Sequence, residues 1–455
     1  MSRNKHENEK NTGFRLVIPF FAVMAVLTVV SFIIPLRPTQ SNMEKRNLAQ
    51  FPEFSLEALA DGSYFDDITL WFSDTFPGRE DWLTLSSSIS SLHGYSEIAI
   101  QGELPDSWDI AEDTALLQEV DTEPAAENDT PEQDIPAETE ETEPEETQWG
   151  GVDAAENEIA QTAVIQIGDS AFNGLGFSQG ESDDYAETLS AIAEALARQG
   201  VNVISAPAPT AIGIMVEGEY LDQLNCARQD EMLEYLHSNM SDQVIKVDTV
   251  SALMAHNNEY IYFRTDHHWT ALGAYYSYEA VCQTLGYEPA PLDSFEVWDQ
   301  GEFEGSIYWK AYRPTKLKKD VVYAYIPQGD IVTMITNESY YTFEGKLLAD
   351  MTKRAVNTKY LTFLSGDDPL TVVTNNDLPD APNCVVVKDS FGNCFVPFLT
   401  QNYHNIYAID YRKYYKMDLQ EFCEAYDIDD VIIMPYLTAT QSTLGNSLIK
   451  KLGGV

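Results

Sequence analysis

The sequence predicts an α/β fold with a mostly parallel central sheet, a β-rich insertion and an N-terminal transmembrane helix. In the second half of the chain, short apolar runs alternate with amphipathic stretches, which is typical of the βαβ units that build a parallel sheet. A segment rich in Tyr, Val, Ile and Thr interrupts this alternation and predicts the insertion. A long apolar run near the N-terminus predicts the membrane helix.

Residues 16–36 are apolar except for Thr28 and Ser31. A run of about 21 residues is long enough to cross a hydrocarbon core of ~30 Å. Basic residues precede it, which favours a cytoplasmic N-terminus. We therefore expect residues 1–37 to be a cytoplasmic tail and a single-pass anchor in the cell membrane, with the rest of the chain extracytoplasmic. The competing interpretation is a cleaved signal peptide, but the run is long for one and no clear A-x-A site follows it.

Residues 38–102 are predicted to be helical, because apolar residues between Phe54 and Phe72 recur at helical spacing and a second amphipathic stretch covers about 79–93. Residues 103–158 are rich in Asp and Glu and contain no Lys or Arg. Such a composition cannot bury enough apolar surface to fold, so we expect a disordered acidic insertion.

Residues 159–455 are predicted to form the main α/β domain, with the β-rich insertion at 300–375. The predicted strands are 164–167, 201–205, 244–247, 384–387, 406–409 and 431–434, and the predicted helices include 185–199, 230–237 and 271–285.

The 455 residues carry a formal net charge of −46. This charge argues against nucleic acid as a partner, because binding phosphates needs a basic face. The five cysteines include no CxxC pair and are interpreted as small buried apolar residues. We expect no cofactor and no metal.

The first candidate for chemistry is the segment 265–270, Thr-Asp-His-His-Trp-Thr. Asp266 and His268 are two positions apart and would point the same way on an extended backbone. A carboxylate beside an imidazole fixes its tautomer and stabilises the imidazolium during proton transfer. Trp269 would shield the pair from water, and Thr270 would cap the following helix. The structural alternative is a polar helix start with structural histidines.

The second candidate is Ser390, which follows the apolar strand 384–387 and precedes a predicted helix. Backbone N–H groups at such a turn can stabilise an oxyanion, and Gly392 would let a substrate approach the backbone. Ser390 could instead be only a helix N-cap. A nucleophilic serine needs a base, and His268 is the candidate.

The 265–270 run, the Asp-Ser-Phe-Gly run at 389–392 and the segment 71–79 resemble the DHHW family. That family is similar to the alginate O-acetylation proteins and, more distantly, to SGNH-type hydrolases. The resemblance implies an SGNH-hydrolase-like sandwich and a Ser–His–Asp triad that moves acyl groups, usually acetyl, on or off sugar hydroxyls.

Carried over residue by residue, the resemblance makes Ser390 the nucleophile, His268 the base and Asp266 its orienter. Arg412, in an Asp-Tyr-Arg run after the serine block, becomes a candidate substrate or oxyanion contact, together with Gly392 and Asn393.

Ser170 is the alternative nucleophile, because Gly168-Asp169-Ser170 reads like the GDS block of ordinary GDSL hydrolases. The glycine-containing run that follows it is a poor helix start, which favours Ser390. The letters Asp266-His267-His268 also spell the DHH motif of phosphoesterases that bind two Mn²⁺ ions. No upstream D-x-D or G-G-H block accompanies them, so a metal-dependent phosphoesterase is disfavoured.

The leading hypothesis is therefore an esterase or O-acetyltransferase acting on a cell-envelope or exported polysaccharide. A transferase would also need a membrane acyl-donor protein, because one anchor cannot carry acyl groups across a bilayer. The alternative is a catalytically inactive envelope protein that binds glycan or an export or modification partner through its many aromatic residues.

Overall fold

The computed structural model describes residues 40–41, 46–52, 54–55, 59, 63–76, 98–101, 164–310 and 317–455. The predicted anchor, the stretch 79–93 and the acidic insertion lie outside these residues. Among the residues described, no helix is both long enough and apolar enough to cross a membrane.

The fold contains short and medium-length elements in mixed order. The strands are β1 (Gln40–Ser41), β2 (Arg46–Asn47), β3 (Ile98–Gln101), β4 (Val164–Ile167), β5 (Ser170–Asn173), β6 (Asn202–Ser205), β7 (Val244–Lys246), β8 (Glu296–Phe303), β9 (Asp320–Ile326), β10 (Ile331–Thr336), β11 (Thr342–Glu344), β12 (Leu370–Asn375), β13 (Cys384–Lys388), β14 (Asn405–Asp410) and β15 (Asp430–Met434). The α-helices are α1 (Ser63–Asp74), α2 (Gln179–Ala197), α3 (Ala211–Met215), α4 (Gly218–Gln223), α5 (Gln229–Asn239), α6 (Thr249–Met254), α7 (Ala271–Leu285), α8 (Ser306–Lys310), α9 (Val396–Leu399), α10 (Leu419–Tyr426) and α11 (Thr443–Gly453). Among the described residues, 3-10 helices cover Leu292–Ser294, Lys359–Thr362, Ser390–Cys394 and Leu437–Gln441.

An eight-stranded sheet in the order β11-β10-β12-β14-β13-β15-β6-β7 forms the centre of the fold. The strands from β14 to β7 pair in parallel, whereas β12, β10 and β11 join antiparallel. The parallel strands and the antiparallel, β-rich insertion are present as expected, but β10, β11 and β12 of the insertion extend the central sheet, which is therefore mixed. The reason is that β12 pairs along the open edge of β14, which satisfies the backbone groups of both strands.

Strand β13 lies inside this sheet, and all five of its residues are buried. Helix α2 packs on β6 and α11, while α7 packs beside α9. An all-apolar run such as Cys384–Val387 is what a strand covered on both faces requires. The layout confirms an α/β fold and places the carboxyl end of β13, where Ser390 follows, next to the end of β14.

The predicted helical segment 38–102 is helical only in part. Helix α1 lies within it, but Ile98–Gln101 forms β3, which pairs antiparallel with β4. Strands β3, β4 and β5 make a small antiparallel sheet, and β8 pairs with β9 in a two-stranded ribbon. All five cysteines are buried, which agrees with their interpretation as apolar residues, and none of them forms a disulfide.

Candidate active site

Ser390 lies on a tight turn at the end of β13. The turn begins a 3-10 helix at Ser390, and Asp389 caps it by accepting the N–H of Phe391 at 3.0 Å. The other carboxylate oxygen of Asp389 accepts the N–H of Tyr436 at 2.6 Å. The first regular α-helical turn follows at Val396–Leu399, so Ser390 lies between a strand and a helix, as expected. The carboxylate of Asp389 thus fixes the backbone on both sides of Ser390.

Asp266 and His268 lie on a hairpin-like loop that precedes α7. The N–H of Phe263 donates to the carbonyl of His268, and Tyr262 bridges to Trp269. The two-residue spacing predicted an extended backbone here, and the loop is not extended. Instead, Oδ1 of Asp266 accepts the backbone N–H of His268 at 3.0 Å, an Asx-turn that brings the two side chains together.

The structure brings the three predicted residues into one hydrogen-bonded chain. Nδ1 of His268 lies 2.6 Å from Oδ1 of Asp266, and its Nε2 lies 2.7 Å from Oγ of Ser390. Because a carboxylate can only accept, Nδ1 carries the proton and Nε2 is left to accept the hydroxyl proton of Ser390. This is the arrangement that a serine nucleophile and its base require.

Asp266 is buried, and several donors keep it ionised. Burial alone would raise its pKa, but His267 and His268, together with the N–H of Ser306 at 2.7 Å from Oδ2, hold the pKa well below its ordinary value. Ser306 begins α8, and Gly305 before it packs so closely on Asp266 that no side chain would fit there. The charged form of Asp266 is therefore the one that orients His268.

Asp320 of β9 fixes the backbone just before Asp266. Its carboxylate accepts the N–H groups of Arg264 and Thr265 at 3.0 and 2.8 Å, and the hydroxyl of Thr265 at 2.5 Å. Because β9 belongs to the predicted insertion, that segment supports the loop that carries the base.

Aromatic rings surround the histidine. The ring of Tyr360 stacks on that of His268 with centroids 4.0 Å apart and an interplanar angle of 17°. Trp269 is fully buried and donates its indole N–H to the carbonyl of Phe391 at 2.9 Å. Trp269 thus joins the loop that carries His268 to the turn that carries Ser390.

The side chains of Arg412 and Asn393 make other contacts than those expected of them. Arg412 donates from its Nη2 to Asp410 at 2.7 Å and lies 3.3 Å from Asp367, with a side chain only 3% exposed. The side chain of Asn393 accepts from the ammonium of Lys388 at 2.6 Å and donates to Asp367 at 2.8 Å. A direct substrate or oxyanion contact by the Arg412 or Asn393 side chain does not fit this geometry, because these groups bind one another in a buried ion cluster.

Gly392 faces the same cluster. A Cβ there would lie 2.5 Å from Cβ of Lys388, so the glycine lets the turn pack on Lys388. Its N–H donates to the carbonyl of Asp389 at 3.1 Å. Gly392 thus serves close packing within the fold, and its role in admitting substrate stays a prediction.

Ser170 occupies a different environment. It starts β5, directly after a turn in which Gly168 has φ +60°, so a strand rather than a helix follows the serine. Its hydroxyl donates to the neighbouring Asp169 at 3.1 Å. The structure does not bring Ser170 into the chain formed by Asp266 and His268.

In the part of the chain that the structure describes, Asp266, His267 and His268 form a group that could hold a metal ion, with ligand atoms within 4.8 Å of one another. Both ring nitrogens of His268 already bond to Asp266 and Ser390. A cation would have to replace those bonds, so the donor set fits proton transfer better than metal binding.

Sequence reasoning missed Tyr360, Ser306 and the Lys388–Asp367 pair. Tyr360 lies in a stretch with many tyrosines and threonines, which carries no local sign of contact with a histidine. Lys388 did carry a signal, because a lysine ending an apolar strand must find a buried partner.

Comparisons with known proteins find a matching family profile and similar folds. The family profile described as "DHHW protein" matches residues 44–409. A DHHW family protein from Eubacterium siraeum DSM 15702 has a similar structure, with a TM-score of 0.57 and 26% identity over 64% of this chain and 95% of that one. Bacillus cereus PatB1, in a structure with a sulfonyl adduct, has a TM-score of 0.51 and 18% identity over 61% and 95%.

The O-acetyltransferase domain of Pseudomonas putida AlgJ also matches, with 12% identity over 62% of this chain and 96% of that one. Its TM-score of 0.37 is too low to carry an argument about this chain. No curated protein matches the chain.

Proposed function

This chain belongs to the DHHW family, and on that premise we propose that it is a serine-dependent acyl-transfer enzyme. The observation that carries the proposal is the unbroken hydrogen-bonded chain from Asp266 through His268 to Ser390. The base meets the serine and the carboxylate orients the base, which is the arrangement recognised by geometry in serine hydrolases and acyltransferases.

In the proposed reaction, Oγ of Ser390 attacks the acyl carbonyl carbon while its proton passes to Nε2 of His268. The tetrahedral intermediate then collapses, and the leaving oxygen takes that proton. A sugar hydroxyl or water next attacks the acyl-enzyme and gives its proton to His268. The bond between the acyl carbon and Oγ of Ser390 then breaks, and His268 returns the proton to Oγ. Asp266 remains ionised throughout and stabilises the imidazolium.

The oxyanion needs a donor beside the nucleophile. In the 3-10 turn, the N–H groups of Phe391 and Gly392 both bond to Asp389. Among the residues described, no acceptor is assigned to the N–H of Ser390, and we assign it to the oxyanion.

We propose a cell-envelope or exported polysaccharide as the substrate and acetyl as the usual acyl group. The support is the family resemblance together with the apolar run 16–36, which favours a membrane-anchored, extracytoplasmic enzyme. A transferase would receive its acyl group from a membrane donor protein. In intact cells, we expect added protease to cleave the C-terminal part of the chain. A C-terminal part that is cleaved only after the cells are permeabilised would be cytoplasmic, and this result would contradict the placement.

The direct test is hydrolysis of p-nitrophenyl acetate by the full-length chain in detergent. We expect turnover that is lost in Ser390→Ala and His268→Ala and retained in Ser170→Ala. Activity that depends on Ser170 alone would identify the other serine. A native protein that neither hydrolyses the ester nor forms an acyl-enzyme would support the glycan-binding alternative.

A further inference from the structure

Tyr360 contacts both ends of the proton-transfer step, although neither its sequence context nor the family resemblance marks it. We propose that Tyr360 is a positioning residue, whose ring fixes the plane of the His268 imidazole against the Ser390 turn. This inference deepens the proposed acyl-transfer function and rests on it for its kinetic readout.

The first observation is the ring stack. The Tyr360 and His268 rings are nearly parallel, with centroids 4.0 Å apart. The Asp266 hydrogen bond holds Nδ1. A single hydrogen bond does not by itself prevent a small rotation of the ring about its Cβ–Cγ bond. A face-to-face contact opposes that rotation, so Tyr360 keeps Nε2 aimed at Oγ of Ser390. Its π face also favours the imidazolium that forms when the proton moves.

The second observation is the phenol hydroxyl. It donates to the carbonyl of Ser390 at 2.9 Å and lies 3.4 Å from Sγ of Cys394. Tyr360 therefore touches the first and last residues of the serine turn while its ring covers the base. One side chain thus sets the distance between nucleophile and base.

The third observation is that Tyr360 is itself held in place. It lies in the 3-10 helix Lys359–Thr362, and its ring packs edge-on against Phe363 and Phe263 at 5.4 and 6.3 Å. The ammonium of the buried Lys359 donates to the carbonyls of Met351 and Thr352. A residue fixed in this way can transmit its position to the histidine.

The test uses phenylmethylsulfonyl fluoride and the full-length chain in detergent. Oγ of Ser390 forms a bond to sulfur, the S–F bond breaks, fluoride leaves, and His268 accepts the serine proton. We expect Tyr360→Leu to lower the maximal labelling rate about 10²-fold, because a small misplacement of reacting groups has that order of effect. The half-saturating reagent concentration should change little. Tyr360→Phe keeps the ring and should stay within about fivefold of the native rate.

Tyr278→Leu is the matched control. Tyr278 is also a buried tyrosine, but its ring stacks on Phe398 and its hydroxyl donates a hydrogen bond to Asn402, not to a residue of the serine turn. It should lower thermal stability but leave the labelling rate of the folded protein unchanged. Equal labelling rates in Tyr360→Leu and Tyr278→Leu would overturn the proposal, as would Tyr360→Phe being as slow as Tyr360→Leu.

A second readout does not depend on activity. In protein with ¹⁵N-labelled histidine, we expect the proton between His268 and Asp266 to give a downfield resonance that persists in Tyr360→Phe and is lost in Tyr360→Leu. If the native protein is not sulfonylated but this resonance follows the Tyr360 variants, the proposed function fails and the positioning role stands. An unchanged resonance in Tyr360→Leu contradicts the positioning role alone.

Discussion

Asp266 holds His268 at two points, since its Oδ1 accepts the backbone N–H at 3.0 Å and lies 2.6 Å from Nδ1 of the ring. The loop conformation and the ring orientation therefore depend on the same oxygen. This double contact explains why two residues so close in sequence can act as one unit, and it leads to the first prediction.

Asp266→Asn should lower esterase activity by about 10²–10⁴-fold, because an amide can donate to Nδ1 and so favour the tautomer whose Nε2 carries the proton. The donating amide nitrogen would take the place of Oδ1 and lose the bond from the backbone N–H of His268, whereas the amide oxygen can still accept the N–H of Ser306. We therefore expect a protein that folds but is less stable. Steady-state hydrolysis of p-nitrophenyl acetate, beside a circular dichroism spectrum, measures both. A variant with native activity would show that Asp266 does not orient the base.

Gly392→Ala should weaken both the fold and the activity. The added methyl would meet the Lys388 side chain at 2.5 Å, and the crowding must move either the lysine or the serine turn. We expect a destabilisation of about 1–3 kcal/mol, as for other overpacked sites. Urea unfolding measures it.

Gly180→Ala is the matched control, because a Cβ at Gly180 in α2 would meet no atom within 4 Å. There the substitution should be neutral or stabilising by up to about 1 kcal/mol, since alanine favours helix. Equal effects at the two glycines would contradict the close packing at Gly392.

Lys388→Met should cost about 3–5 kcal/mol of unfolding free energy, because it leaves Asp367 and Asp410 with one cation fewer in a buried site. The side chain of Lys388 is 1% exposed, and its ammonium also donates to Asn393. Lys319→Met is the comparison, since Lys319 pairs with Glu302 and Glu304 while half exposed. Its loss should change the unfolding free energy far less, because an exposed ion pair is screened by water. Similar costs for the two lysines would argue against a buried cluster that holds the turn.

Asp368→Asn should stabilise the protein in a pH-dependent way. Burial raises the pKa of Asp368 to about 6, with Lys388 and Lys413 opposing the shift and Asp367 and Glu338 adding to it. A carboxyl whose folded pKa exceeds its unfolded pKa contributes less stability as pH rises from about 4 to about 6. Asparagine mimics the neutral form, so the gain should be about 1–2 kcal/mol at pH 8 and absent at pH 4. Urea unfolding at both pH values measures it, and an equal gain at both would refute the raised pKa.

The local elements could be predicted because their signals are local. Val164–Ile167 is β4 as expected from its apolar run, and Ala271–Leu285 is α7 with Thr270 accepting the N–H of Gly273 as its cap. Glycine ends that helix, with Gly286 in the left-handed region at φ +76°. Patterns within a few residues decide these features.

The sheet order could not be read from the sequence. The pairing of β12 with β14 joins residues more than 30 positions apart, for example Val373 with Ile406. No pattern within β12 distinguishes a separate insertion from an extension of the central sheet. The order of the strands depends on this non-local pairing.

The candidate site could be predicted where the types of the residues alone indicate a reaction. Asp266, His268 and Ser390 are residue types whose combination indicates proton transfer, and the fold brings them together. The predicted substrate contact of Arg412 does not fit the structure, because the sequence does not show the direction of its side chain. The guanidinium donates to the buried Asp410, two residues earlier. Tyr360 was missed because a stacking tyrosine looks like any core tyrosine in sequence.

The measurement that tests the account most directly is the location of a covalent sulfonyl adduct. PatB1, which has the same fold, has been described with such an adduct. Full-length protein treated with phenylmethylsulfonyl fluoride should gain one adduct, which peptide mass spectrometry places on Ser390 and which His268→Ala prevents. An adduct on Ser170, or no adduct on a folded native protein, would contradict the assignment of Ser390 as the nucleophile.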